Sequence, residues 1–350
     1  MNAAIITDQH LDGRKGSQAF WDFFMKFYNE IFFPTLEKNN IKILFDLGDT
    51  FDNRKNIDFA AWSRIKTQYY DRLQELGVQV HMIVGNHTAY YKNTNRINTP
   101  SLLLNSYDNI TIYDEICDID ILGNTITMIP WINSENQSKV MSHLQNTKSQ
   151  VLMGHLEITG FEAHPGHVFE GGLDRSIFSK FPQVFSGHFH HKSRAENIYY
   201  LGNPYEITWS DYNEERGFHL YDLDTRKLKF IRNTFRMFKK FYYDDNKTDY
   251  LYVDLTEYKD SYVKVIVENK SDSYMFDKVV EKFYSVGVHD LKIIEDNSMF
   301  NSDSDDTESI EHEDTLTTLQ RYIEEMKDNY DKSNLKSIIK SIYIEACEIQ

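Results

Sequence analysis

Five short polar motifs, each closing an apolar run, constrain this chain more than any other feature. They are Asp8-Gln9-His10 after AAIIT, Gly48-Asp49-Thr50-Phe51-Asp52 after KILFDL, Gly85-Asn86-His87 after VQVHMIV, Gly154-His155 after QVLM, and Gly187-His188-Phe189-His190 after QVFS. Apolar runs of this length read as buried strands, and in an open α/β sheet functional sites collect beyond the carboxyl ends of strands. Five polar motifs at five such ends therefore converge on one crevice.

The spacing of the runs fits that architecture. Strands are expected at Ala3–Thr7, Ile41–Leu47, Val78–Val84, Ile126–Ile129, Gln150–Met153 and Gln183–Phe185, with helices near 17–37 and 58–76 between the first three. Strand–helix–strand alternation is the signature of an α/β fold with a largely buried sheet. All six prolines lie at or before Pro204, and 14 of the 15 glycines at or before Gly217. A loop-rich domain therefore fills about the first 225 residues. Further on, a strand near 250–254, a strand at 262–267, a helix near 274–286 and a strand at 290–295 predict a small α+β domain.

The residue types in the motifs suit divalent metal. Carboxylate, imidazole and amide oxygen without thiolate match Mn²⁺, Fe²⁺ or Zn²⁺. In Asp8-Gln9-His10 and His188-Phe189-His190 the donors are two apart, and in extended backbone such residues project to the same side. Glycine before Asp49, Asn86, His155 and His188 allows the sharp turn where strand becomes loop. Only two cysteines, Cys117 and Cys347, are present, so a thiolate cluster is excluded and a reducing compartment is expected. The sequence contains no apolar run long enough to span a membrane and no basic n-region at its start, so neither a membrane segment nor a signal peptide is expected.

The ordered set D-x-H, GD-x-x-D, GNH, GH, GH-x-H resembles the calcineurin-like metallophosphoesterase superfamily. The form GDTFDNRK at 48–55 is similar to the branch of SbcD-type DNA-repair nucleases. Ile129-Pro130-Trp131, the GHFH motif and Leu201-Gly202-Asn203-Pro204 resemble the phage-encoded members of that branch. The resemblance implies a fold of central mixed sheets flanked by helices, with a small capping domain and C-terminal helices. It implies a nuclease domain at 1–225, a DNA-recognising capping domain at 226–295, an acidic linker at 296–314 and a helical segment at 315–350 that binds an SMC-like, SbcC-type ATPase subunit.

It also implies two Mn²⁺ ions, with Mg²⁺ as the alternative. One ion falls to Asp8, His10, Asp49 and His190, the other to Asp49, Asn86, His155 and His188. His87 contacts the scissile phosphate and protonates the leaving oxygen, and Asp52 orients His87. The activity implied is an exonuclease on duplex DNA ends and an endonuclease on single strands in a recombination and repair complex, with a homodimer formed through the helices near 17–37 and 58–76. One position departs from the pattern: the family commonly has GNHD or GNHE, and this chain has Thr88.

Basic residues just beyond the motifs, Arg14, Arg54, Lys92 and Arg194, are candidate DNA contacts. The run 226–240 holds seven Lys/Arg and no acid, and reads either as a DNA-facing stretch or, slightly preferred, as a strand pair with its charges outward. The net charge of −16 excludes a generic coat for polyanions, but segment 295–314 alone carries nine acids and no base, leaving −7 elsewhere. Beyond it, Leu316, Leu319, Tyr322, Ile323, Met326 and Tyr330, then Leu335, Ile338, Ile339, Ile342, Ala346 and Ile349, recur at helical spacing. Two other readings compete: a phosphatase or nucleotide phosphodiesterase on the same scaffold, and a DNA-end-binding scaffold subunit with weakened catalysis.

Overall fold

The computed structural model describes residues 2–164 and 167–295, together with the isolated helical positions Ile323, Leu335 and Ile339. Apart from those three positions, the expected linker at 296–314 and the helical segment at 315–350 lie outside the described residues.

Two six-stranded sheets face each other. The first runs Leu228–Asn233, Arg216–Asp222, Asn2–Ile6, Ile43–Asp46, Gln79–Ile83, Ile110–Tyr113; its last four strands are parallel and the first two antiparallel. The second runs Ser193–Ala195, Ile198–Tyr200, Gln183–Gly187, Val151–His155, Asn124–Ile129, Cys117–Ile121, with a parallel centre and antiparallel edges. All six expected strands of this part are present. The fold is thus the expected one of mixed sheets flanked by helices.

Alternation along each strand divides the core into layers. Ala3, Ile5 and Phe45 point toward Met128, Met153 and Phe185 of the second sheet, while Ala4, Ile6 and Leu44 point the other way, toward the helices. The outer face of the second sheet packs Leu152 and Val184 against Val140 and Leu144 of the helix Gln137–Asn146.

The two long helical stretches are each interrupted by one π-helical turn, Tyr28–Phe32 and Lys66–Tyr70. These turns carry tyrosines that meet between the helices, with the Tyr28 and Tyr69 rings 4.8 Å apart. Phe20, Trp21, Phe24, Phe27 and Tyr28 could suit an interface or a core; all five are buried within this chain, so they supply no interface. Burying an aromatic side chain stabilises by about 1.5–3 kcal/mol each, so this cluster anchors the helices on the first sheet.

A separate three-stranded sheet, Phe238–Asp244, Tyr262–Asn269, Asp290–Glu295, packs beneath the helix Ser273–Val286 around Phe241, Val265 and Phe283. The strand expected near 250–254 does not form. Tyr250 turns inward to stack on Tyr243 at 4.6 Å, and Lys282 Nζ donates to the carbonyls of Leu251 (2.7 Å) and Val253 (3.1 Å) that a neighbouring strand would otherwise use. Phe238–Asp244, not assigned from the sequence, takes the strand position instead. The basic run is therefore split: Leu228–Asn233 edges the first large sheet, and Lys239 and Lys240 belong to the small one.

Candidate metal centre

All five motifs meet at the carboxyl ends of the parallel strands, drawn from both sheets. The turns there are tight. Asp8, His10, Asp49 and His188 all have positive φ (50°, 42°, 51° and 86°), a region that side chains other than glycine, Asn and Asp rarely occupy. Such strain persists only where the surroundings over-determine it, and it clusters at functional sites. The motif glycines have a specific reason to be glycine. A Cβ on Gly85 would stand 2.1 Å from Asp49 Oδ1 and 2.5 Å from Asp49 N, and one on Gly187 would stand 2.0 Å from Thr7 Oγ1. Gly85→Ala is expected to displace the Asp49 carboxylate and lower phosphoester turnover by about a hundredfold, the scale of a misplacement of about 1 Å. Steady-state kinetics on a small phosphodiester, read beside bound-ion content, would show it; unaltered turnover would contradict this packing.

The donors form two groups. In the first, Asp8, His10 and His190 converge, and His10 Nε2 lies 3.1 Å from His190 Nε2. In the second, Asp49, His155 and His188 converge. Asn86 Oδ1 accepts from His155 Nε2 at 2.8 Å and from His188 Nδ1 at 2.9 Å, and His155 Nε2 is 3.1 Å from Asp49 Oδ2. Asp8 joins the groups from the other side, since both of its carboxylate oxygens lie 3.1 Å from His188 N. The structure thus brings together all seven residues expected as ligands.

Asp52 and His87 stand beside them, in a different arrangement from the expected one. Asp52 reaches His87 through its main-chain oxygen, which accepts from His87 Nδ1 at 2.9 Å. Its carboxylate turns instead to His10, with Oδ1 2.9 Å from Nδ1. A buried neighbour holds the same residue from the other side: Asp12 Oδ1 accepts from Asp52 N at 2.6 Å. Thr88 is buried, and its hydroxyl both accepts from Gly85 N (3.0 Å) and donates to Gly85 O (3.1 Å). It closes the turn that presents Asn86 and His87.

The electrostatics fit a cation. Burial raises the Asp8 carboxyl above its usual range; burial opposes ionisation of Asp49 too, but His155, His87 and His10 hold it well below. Burial alone would lower His10 and His155, yet Asp52 lifts His10 to about 9 and Asp49 lifts His155 to about 9. His190 is pushed well down by burial and by the charges of His10 and Arg216, which keeps it neutral, as a metal-bound imidazole must be. His10 Nδ1 lies 2.9 Å from Asp52 Oδ1, and its Nε2 faces the Nε2 of His190 at 3.1 Å. That juxtaposition is repulsive unless a proton or a cation lies between. Two nitrogens bound at about 2.1 Å and about 90° apart on one ion stand about 3 Å apart, close to the separation here.

The candidate DNA contacts are less well gathered. Arg14 lies near the first motif, its Nε donating to Ile207 O at 3.0 Å. Arg54 lies 5.2 Å over the Trp131 ring, close to the second motif. Lys92 is on an exposed hairpin after the third. Arg194 sits on an edge strand, 4.4 Å over Tyr199 and donating to Glu196 O, away from the ligands. Two supporting residues have no signal in the sequence. Gln9 spans the floor of the centre, donating to Asp46 Oδ2 (2.8 Å) and accepting from Tyr28 Oη (2.6 Å). Arg216, 2% exposed, donates to the carbonyl oxygen of His190 and to Asn203, Asp211 and Glu214.

Carboxylates and imidazoles contributed by strand ends of two facing sheets are the means by which metal-dependent phosphoesterases assemble their centre, and this chain is one of that class. It belongs to the calcineurin-like phosphoesterase family, whose match spans residues 1–192 and so ends just past His190. It is similar to exonuclease subunit 1 of Enterobacteria phage T4, with 31% identity over 318 residues that cover 89% of this chain and 90% of that protein. Among solved structures it is similar to a dimetal phosphatase from Danio rerio (12% identity, TM-score 0.44, 67% of this chain and 97% of that one). An archaeal phosphodiesterase is also similar (12% identity, TM-score 0.36, 67% of this chain and 100% of that one).

Proposed function

We propose that the protein is the nuclease subunit of a DNA repair and recombination complex. It cleaves duplex ends as an exonuclease and single strands as an endonuclease with two Mn²⁺ ions, under the control of an SMC-like ATPase. The observation that carries this reading is the extent of the likeness to the phage exonuclease subunit, which runs far beyond residue 192. On this reading residues 226–295 form the DNA-recognising cap, 315–350 bind the ATPase in the cytoplasm, and two copies pair.

The small sheet supports a polyanionic substrate. Lys240 and Lys264 are register partners on adjacent strands, and burial together with the charges of Lys292 and Lys240 pulls the Lys264 ammonium below its usual range. Like charges opposed across a sheet are destabilising. Lys240 lies 4.6 Å over the Tyr212 ring and Lys264 4.0 Å over Trp209, which offsets part of the repulsion within the chain, and phosphate would offset the rest.

Asp8, His10, Asp49 and His190 would hold one ion, and Asp49, Asn86, His155 and His188 the other. When bound, the pair supplies an activated hydroxide and offsets charge on the phosphate oxygens. The Asp52 carbonyl can only accept, so His87 Nδ1 carries a hydrogen, and Nε2, once it has taken up a proton from solvent, would pass that proton to the leaving oxygen. Thr88 supports this geometry in place of the more common acid, which favours an active site over a weakened scaffold.

The test is cleavage of duplex ends and single-stranded circles with Mn²⁺, Mg²⁺ and Zn²⁺ in parallel, with and without the ATPase, beside a panel of nucleotides and small phosphoesters. Wild-type protein is expected to cut DNA with Mn²⁺, and His87→Ala to cut about 10²–10⁴-fold more slowly at unchanged ion content. Turnover of nucleotides with no DNA cleavage would assign the chain to the phosphatase reading instead.

A further inference from the structure

The strands Ala89–Tyr91 and Thr94–Asn98 form a hairpin that begins two residues after His87. Its base is tied to the centre, because Thr99 N donates to the carbonyl of Thr88 at 2.9 Å and the Thr88 hydroxyl closes the Gly85 turn. In regular strands neighbouring side chains point to opposite faces. Here the register slips between Ala89 and Tyr91, and bulges of this kind re-aim side chains, often beside active sites. The outcome is that Tyr90 and Tyr91, adjacent in sequence, have ring centroids only 4.7 Å apart at an angle of 77°. Ala89 is fully buried, yet the two rings are 38% and 51% exposed. The hairpin, AYYKNTNRIN, adds Lys92 and Arg96 and contains no acid.

Two exposed rings and two cations within three to nine residues of His87 have no role in the metal centre and none in the core. Backbone length places Tyr90 at most about 10 Å from His87 along the chain. An aromatic face stacks on any nucleobase, while a base within a duplex already has neighbours on both faces and offers none.

We propose that Tyr90 and Tyr91 form a stacking platform for an unpaired nucleotide adjoining the scissile phosphate, with Lys92 facing the strand's phosphates and Arg96 held by Glu135. This rests on the nuclease reading and extends it: the platform selects frayed ends and single strands over intact duplex.

The test uses the full-length protein with Mn²⁺ and three substrates: a single-stranded oligonucleotide, the same oligonucleotide carrying one abasic position on either side of the cut, and bis(p-nitrophenyl) phosphate. Tyr90→Ala with Tyr91→Ala is expected to raise KM for the oligonucleotide about tenfold or more. Turnover of the small diester should be kept, and the double Phe variant should behave as wild type, because stacking needs the ring and not the hydroxyl. The abasic substitution should weaken the wild type but not the Ala variant. An unchanged KM in the Ala variant overturns the proposal, as do equal abasic losses in both proteins. Loss of small-diester turnover together with DNA cleavage in both the Ala and Phe variants would make the pair a structural element. A shift from dimer to monomer in sedimentation without a change in KM would make it a contact between copies. A wild type that cuts no DNA under any condition removes the nuclease reading itself, a result distinct from a wild type and variant that cut equally well.

Discussion

Asp49→Asn is expected to leave a folded protein that has lost its phosphoesterase activity by at least about a thousandfold. Asp49 is the carboxylate proposed to bridge the two halves of the centre. Its Oδ2 lies 3.1 Å from His155 Nε2, its Oδ1 accepts from His87 N at 2.8 Å, and His10 from the other donor group helps hold it ionised. Asparagine matches its volume and keeps one carbonyl-type oxygen. Oδ1 still accepts from His87 N. His155 keeps Leu47 O as the acceptor for Nδ1 and Asn86 Oδ1 as the acceptor for Nε2, each at 2.8 Å. What is lost is the negative charge that the two proposed cations would share.

The measurement is thermal or urea unfolding with and without Mn²⁺, beside kinetics on a small phosphodiester. Wild-type protein should gain about 2.7 kcal/mol at an ion concentration a hundredfold above its Kd, whereas the variant should gain much less. Equal metal-induced stabilisation of the two proteins, or turnover within tenfold of wild type, would sink the assignment of Asp49 as the shared ligand.

The parts of the centre legible in the sequence were those with a local signature. Asp8, His10, Asp49, Asn86, His155, His188 and His190 each follow an apolar run, and the strand-end rule brings them together without any knowledge of the pairing. Glycines 85 and 187 were legible as turn residues; that each leaves room for a specific oxygen was not. Asp12, Gln9 and Arg216 were illegible because nothing in their neighbourhood repeats or caps. Each acts across the fold, Gln9 for instance on Asp46, 37 positions on.

Asp52 shows a finer limit. The motif places it beside His87, but its main-chain oxygen faces that ring while its carboxylate faces His10, a choice that residue spacing does not encode. The aromatic helix at 17–37 was ambiguous for a related reason. Amphipathic spacing says that a face is buried but not against what, and the facing tyrosines lie some 40 residues away across the second helix. In the small sheet, the residues at 250–254 have strand-like composition, yet Lys282 from the overlying helix occupies their carbonyls.

Arg216 gives the second large effect, and it arises far from any motif. The side chain is 2% exposed and its guanidinium is divided among four acceptors: the His190 carbonyl, Asn203 Oδ1, Asp211 Oδ1 at 2.9 Å and Glu214 Oε2 at 2.7 Å. It therefore clamps the loop that carries His190 to the Leu201–Pro204 turn. Arg216→Met keeps the volume but strands the Asp211 carboxylate, itself 3% exposed, among apolar neighbours. Removing one partner from a buried pair costs about 3–5 kcal/mol. The cost should fall near the lower end, because Asp211 Oδ2 still accepts from Ile207 N and Thr208 N, each at 2.8 Å.

The second consequence is functional: with its carbonyl released, His190 is less firmly held against His10, and ion affinity should fall about 10–100-fold, the usual loss when a group that orients a metal ligand is removed. Arg216→Lys separates the two consequences. An ammonium restores charge against Asp211 and Glu214 but cannot reach four acceptors in a planar fork. It should recover much of the urea midpoint while leaving ion affinity low. If Arg216→Met unfolds at the wild-type midpoint and binds Mn²⁺ as tightly, the buried arginine is only a filler. If Arg216→Lys restores affinity as fully as stability, its effect on the centre is general and the clamp on His190 is not the cause.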